Sequence, residues 1–204
     1  MKRELSSLTQ QQRQEASIKA CDLLLSSFPP ESFAALLSYA PLKTELSPTD
    51  VTRSFLQQGK TVALPRVVPS STASEQQMDF ITLDAHIPLE QQTTRGTFGI
   101  REPVGGKPFC LEDTPAHSSV LLIAPALAFG RDGSRLGRGG GFYDRKIAEL
   151  KAQAALCDRR VVVCGFCFAL QIKDSVPTES HDAFVDALVS EECVIICHPL
   201  PRLL

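Results

Sequence analysis

The stretch Leu121–Arg145, LLIAPALAFGRDGSRLGRGGGFYDR, decides how the rest of the chain is read. Val120 to Ala124 is an unbroken apolar run stopped by Pro125, the pattern of a strand buried on both faces. Asp144 to Ala155 has the composition of a helix. Between them lie Gly130, Gly133, Gly137, Gly139, Gly140 and Gly141, with Arg131, Arg135 and Arg138 interspersed. A strand, a glycine-rich loop and a helix in this order aim backbone N–H groups and a helix N-terminus at an anion. Glycine lets the backbone approach a ligand closely, and arginine adds forked donors suited to phosphate or carboxylate. The loop is not a Walker A motif, since no Gly-Lys-Ser/Thr follows. Nor is it a dinucleotide fingerprint, because Gly137-x-Gly139 lacks the third glycine. Alone it reads as either a surface loop or an anion site. Its place between a buried strand and a helix favours the second.

The whole chain bounds what surrounds this loop. Its 204 residues predict one domain spanning 1–204, large enough to bury a core without disulfides or metals. Hydrophobic residues make up 43% and charged residues 22%, an ordinary globular balance. A net charge of −2 argues against nucleic acid as the main partner. No apolar run approaches membrane-spanning length, and the polar N-terminus has no signal-peptide core, so a cytoplasmic location and no membrane partner are expected. Seven cysteines without a secretory signal do not read as a disulfide framework. Cys164-x-x-Cys167 and Cys193-x-x-x-Cys197-His198 offer zinc-ligand types in a candidate interaction module. Both lie in strand-like runs, however. Cysteines three apart on a strand face opposite ways, which favours core packing.

Strand and helix signals alternate along the chain, predicting an α/β fold with an open, largely parallel sheet flanked by helices. Thr9 and Gln12 form a capping box for a helix ending before Pro29-Pro30, with Ile18, Cys21, Leu24 and Leu25 on one face. Phe33 to Tyr39 reads as a strand. Ser47 then caps a helix with Pro48 at its first position, and Gly59 stops it. Glu45 falls on the loop between them, at a strand's carboxyl end, where open α/β sheets bind ligands. Without that context it is a solvated acid. Thr61 to Val68 is a strand placed at an edge or an end by Pro65. Pro69 to Gln77 is a polar loop, and Met78 to Leu83, Arg160 to Phe168, Phe184 to Val189 and Cys193 to Cys197 are further strands.

Leu127-Ala-Phe129 followed by Gly133-Ser-Arg-Leu-Gly-Arg-Gly-Gly-Gly-Phe-Tyr-Asp-Arg145 resembles the signature of the 5-formyltetrahydrofolate cyclo-ligase family. Glu45, the segment Thr97-Phe98-Gly99-Ile100-Arg101-Glu102-Pro103 and Asp182 follow the same pattern, so the resemblance covers nearly all of the chain after the first helix. It implies an open α/β sheet akin to the phosphosugar-isomerase and CoA-transferase group, and a reaction that closes 5-formyltetrahydrofolate to 5,10-methenyltetrahydrofolate with ATP and Mg²⁺. Folate and ATP are then the partners, and a monomer is expected. The implied ATP site is Arg135, Leu136, Gly137, Arg138, Gly139, Gly140, Gly141, Phe142 and Tyr143. The implied folate site is Glu45 with Arg138, Gly139, Gly140, Gly141 and Phe142. Arg138 and Tyr143 are the implied catalytic residues, and Asp144 and Asp182 the implied Mg²⁺ ligands. Taken without the family, Asp144 is a helix N-terminal acid, Phe142 and Tyr143 are core aromatics, and His181 is a loop residue or an acid–base group. Asp186 matches a further family aspartate.

The chain departs from the family at its start. Members carry a Lys and a downstream Arg in the first helix that reach the ATP phosphates. Aligning Leu8–Arg13 with the family's turn places those positions before Met1, leaving Lys2 and Arg3 as the available substitutes. A folate- or nucleotide-binding relative without turnover is therefore the alternative to an active ligase.

Overall fold

A computed structural model describes residues 1–69, 76–96 and 99–200. Two helices open the chain, α1 (Lys2–Ser7) and α2 (Gln10–Ser27). Thr9 caps α2 through the expected box, its hydroxyl accepting from the Gln12 N–H while the Gln12 side chain accepts from the Thr9 N–H. The buried stripe of α2 is Ser17, Ala20, Cys21 and Leu24. Ile18, predicted on that face, is exposed. The stripe is displaced because Ser17 turns inward, where its hydroxyl accepts from the Ser47 N–H.

Seven strands form the main sheet: β1 (Ala35–Leu37), β2 (Thr61–Pro69), β3 (Gln76–Thr82), β6 (Ser119–Ala124), β9 (Arg160–Phe166), β11 (Ala187–Val189) and β12 (Val194–Ile196). Their spatial order is β12-β11-β9-β6-β1-β2-β3. The inner five run parallel, and β12 and β3 close the two edges antiparallel. β6 sits at the centre and is buried along its whole length, as its apolar run demands.

Helices cover both faces. On one, α2 and α3 (Thr49–Gln57) press Leu24, Val51 and Phe55 onto Leu36, Leu121 and Ile123. On the other, α4 (Phe142–Leu156) presses Ile147 and Leu150 onto Leu37, Val120 and Leu122. Alternate residues of one strand thus feed opposite cores, the period-2 rule acting in a two-sided sheet.

Two sequence-based boundaries move. The helix α3 starts at Thr49 with Pro48 as its cap residue. Ser47, one position earlier, hydrogen-bonds Thr49 instead of capping. Pro65 lies not at the sheet's edge but in β2, opposite Phe80 of β3. It is tolerated because β1 pairs with β2 only as far as Ala63, so from Pro65 onward β2 has a ladder partner on one side alone.

The largest departure is inside the glycine-rich stretch, which is not all loop. β7 (Ala128–Gly130) and β8 (Arg135–Leu136) form a hairpin, and β10 (Ile172–Lys173) adds parallel to β7. Gln171 ties this small sheet down by donating to the Ala126 and Leu127 carbonyls. A further ribbon, β4 (Thr93–Arg95) with β5 (Arg101–Pro103), follows β3 in the chain and brings β5 against β2. Thr97 and Phe98 fall outside the described residues.

Candidate active site

The chain passes from β1 outward to β2 and β3, then returns to place β6 on the other side of β1. The loop after β1 leads to α3 on one face, and the segment after β6 leads to α4 on the opposite face. Their divergence opens a crevice at the carboxyl ends of β1 and β6, the switch point of an open α/β sheet. Glu45 stands on the first loop and Gly137–Gly141 on the second.

The two loops meet. Arg138 Nη2 donates to Glu45 Oε1 at 3.0 Å, joining residues 93 apart in sequence. The Glu45 side chain is only 8% exposed, whereas that of Arg138 is 41% exposed. The second Glu45 oxygen accepts from the Leu42 N–H at 2.9 Å, which fixes the carboxylate's direction. Tyr39, which the sequence reading passed over, supports this loop: its buried hydroxyl donates to the Leu46 carbonyl at 2.6 Å. A tyrosine at the end of a buried strand just before Ala-Pro was the only available signal. Burial pushes the Tyr39 hydroxyl well above the usual phenol range, and the Glu45 carboxylate adds to the effect. Tyr143, half-buried nearby, is raised for the same two reasons. Both hydroxyls therefore stay protonated at neutral pH.

The loop arginines divide into two kinds. Arg135 is 4% exposed and its Nη2 donates to Asp144 Oδ1 within α4's first turn. The Tyr143 ring lies 5.7 Å below its guanidinium. Its Nε is buried without a hydrogen-bond partner. Arg138, by contrast, projects from the loop, and its hydrogen-bond partner among the described residues is Glu45. Gly139 next to it has φ +91°, and a Cβ there would meet nothing within 4 Å. Gly141, with φ +61°, begins α4 with no side-chain cap, so the first N–H groups of the helix are left for another acceptor. Phe142 packs over Gly140, and the Arg145 guanidinium lies 5.4 Å from its ring. Leu136 in β8 is exposed.

The carboxylates are also placed. Asp144 Oδ1 accepts from both Arg135 and the Ala183 N–H, which brings the 182–183 turn against the start of α4. Asp182 Oδ2 accepts from the Glu179 N–H, and Asp182 is half-buried. Among the described residues Asp144 Oδ2 and Asp182 Oδ1 accept no hydrogen bond, and carboxylate oxygens of this kind fit Mg²⁺ bound by one or two carboxylates together with phosphate and water. Among the described residues no group of three or more His, Cys, Asp or Glu is placed to hold a metal by itself. The zinc reading finds no ligand set: Cys164 and Cys167 lie in opposite cores. Asp186 is used structurally, accepting from Val163 N–H and Lys151. His181 is exposed, 3.7 Å from Glu179. Arg3 lies exposed on α1, and the Lys2 side chain is outside the described residues. Beside the Glu45 loop a cavity of about 130 Å³ is lined by Tyr39, Pro41, Thr52, Leu64, Thr93 and Arg101.

A glycine-rich, arginine-bearing loop at the switch point of a parallel sheet, tied to a carboxylate from the neighbouring strand's loop, lies where α/β enzymes of the open-sheet class place their ligands. The comparisons with known proteins are specific. The model of the 5-formyltetrahydrofolate cyclo-ligase family matches residues 1–191. The chain belongs to that family, and is accordingly a ligase. A 5-formyltetrahydrofolate cyclo-ligase from Mycolicibacterium smegmatis is 33% identical over 153 residues, 71% of this chain and 67% of that one. The Escherichia coli K12 cyclo-ligase is 27% identical over 184 residues, 90% of this chain and 92% of that one. The solution structure of Aquifex aeolicus 5,10-methenyltetrahydrofolate synthetase superimposes with a TM-score of 0.72 at 26% identity, covering 99% of this chain and 91% of that one. A Mycoplasma pneumoniae synthetase shares the fold, with a TM-score of 0.66 at 18% identity.

Proposed function

We propose that this chain closes 5-formyltetrahydrofolate to 5,10-methenyltetrahydrofolate at the expense of ATP, with Mg²⁺, releasing ADP and phosphate. The observation that carries the reading is the meeting of the glycine-rich loop with Glu45 across the crevice, because the reaction needs a polyphosphate and a pterin side by side. The N5-formyl carbon is amide-like and its oxygen leaves poorly. That oxygen attacks the γ-phosphorus and ADP departs. N10 then attacks the activated formyl carbon and gives up its proton, and phosphate leaves.

In this reading the N–H groups of Gly137 to Gly141 and the open N-terminus of α4 receive the phosphates. Arg138 offsets their charge and that developing on the formyl oxygen. Arg135 is the strut that holds Asp144 and Tyr143 in place, in keeping with its burial. Glu45 accepts the pterin's amino and ring N–H groups in parallel. Phe142 and Tyr143 wall the site, and Tyr143 acts as a neutral donor. Asp144 and Asp182 would hold Mg²⁺, which supplies charge neutralisation on the phosphates. The location proposed is cytoplasmic and the working unit a monomer of one domain. No helix among the described residues is long and apolar enough to cross a membrane.

The test is an absorbance assay for the methenyl product from 5-formyltetrahydrofolate and Mg²⁺, with and without ATP. Product that forms only with ATP supports the reading. Folate binding with no product overturns it and leaves a binding relative in its place.

A further inference from the structure

We propose that the Glu45–Arg138 ion pair is a latch that makes the two ligands bind cooperatively: each group holds the other until a ligand arrives, and arrival of a polyphosphate on Arg138 frees Glu45 for the folate. The inference rests on the cyclo-ligase reading above and adds a coupling to it.

The geometry supplies each part. Glu45 and Arg138 come from loops after adjacent strands that depart to opposite faces, so their bond is the tie across the mouth of the crevice. Both are polar groups that the reaction needs elsewhere. The Glu45 carboxylate has one oxygen held by the Leu42 N–H and the other by Arg138, so with the pair closed neither oxygen is free of a partner. Arg138 is the exposed partner of the pair, with open space beside it. Its side chain is 41% exposed, it stands between Gly137 and Gly139, and the space where a Gly139 Cβ would sit is open. Arg135 cannot take its place, being buried and committed to Asp144.

Binding energetics then follow from linkage. A nucleotide that engages Arg138 must first break the pair, which weakens its own binding. The broken pair frees Glu45 Oε1 for one ligand N–H, while Oε2, still held by the Leu42 N–H, keeps a second lone pair for another. A folate on Glu45 likewise leaves Arg138 free for phosphate. Each ligand thus removes the obstacle to the other, and the coupling is the same measured in either order.

Isothermal titration calorimetry with β,γ-imido-ATP and Mg²⁺ tests this without turnover, with thermal unfolding of each variant as the check on folding. In wild type, 5-formyltetrahydrofolate and the analogue should tighten each other's binding by about fivefold or more. Glu45→Gln should tighten the analogue by about tenfold in the absence of folate, by releasing Arg138. Simple removal of a repelling charge would act equally in an Arg138→Gln background, whereas release of a latch gives no tightening there. Tightening by Glu45→Gln that persists in Arg138→Gln, or an analogue affinity unmoved by Glu45→Gln, overturns the latch. Failure of the analogue to bind wild type at all overturns the cyclo-ligase reading instead.

Discussion

Replacing Asp144 by Ala removes the partner of a buried guanidinium. Arg135 is 4% exposed and the Asp144 side chain 11% exposed, so water cannot take over the lost contacts. The Arg135 Nε is already without a partner, and the substitution strands Nη2 as well. The Ala183 N–H loses its acceptor at the same stroke. Breaking one side of a buried pair costs about 3–5 kcal/mol, a large part of the 5–15 kcal/mol that typically separates folded from unfolded chains. In urea, where a slope of about 2 kcal/mol/M is typical, the unfolding midpoint should fall by about 1.5–2.5 M. Asp144→Asn keeps an acceptor for Ala183 and loses only the charge, so about half that shift is expected. Arg135→Met combined with Asp144→Ala should cost less than the sum of the single changes, by about 1–3 kcal/mol, because the buried charge is then gone. The measurement is made without ligands, which separates this role from any part Asp144 has in Mg²⁺ binding. A midpoint shift below about 0.3 M for Asp144→Ala, with additive singles, would show that the pair carries no folding energy and refute the reasoning.

Four further outcomes are expected. Tyr39→Phe frees the Leu46 carbonyl and slackens the Glu45 loop, so KM for folate should rise several-fold while kcat holds, at a stability cost of about 1–1.5 kcal/mol. Gly139→Ala forces a side chain into φ +91°, which costs about 1–2 kcal/mol locally although its Cβ meets nothing, so nucleotide affinity should fall more than the unfolding temperature does. Burial pushes the Cys21 thiol up to about 11 from 9.0. The folded chain then holds the proton that the unfolded chain releases, so this contribution is complete below pH 9 and is lost as pH rises toward 11, by about 2–3 kcal/mol. Alkaline unfolding should therefore flatten in Cys21→Ala. A thiol reagent near neutral pH should label exposed Cys110 quickly and buried Cys21, Cys164 and Cys167 only on unfolding.

Local patterns in the chain were enough for the framework. An unbroken apolar run predicts a strand buried on both faces, and β6 is the centre of the sheet. The capping box at Thr9 and the positive φ at Gly59 are local chemistry, legible because their partners lie within a few residues. The glycine–arginine stretch likewise carried the resemblance to the family to which the chain belongs. Short-range rules could not show that it folds into β7 and β8. Strands of two or three residues rich in glycine and charge have no intrinsic preference for pairing, and these exist because β10 and the Gln171 amide dock on them. Nor could sequence divide the arginines. Arg135 and Arg138 are alike in local context, and the difference between them is burial against α4 and reach across the crevice. Glu45 could be placed at a strand's end from its loop, whereas its partner lies 93 residues away and is brought to it only by the return of the chain from β3 to β6. Residue types and their local order thus determined the elements and the chemistry available, while the tertiary structure decided which charges are spent on holding the fold and which are left for ligands, because burial and long-range pairing exist only once the sheet has closed around β6.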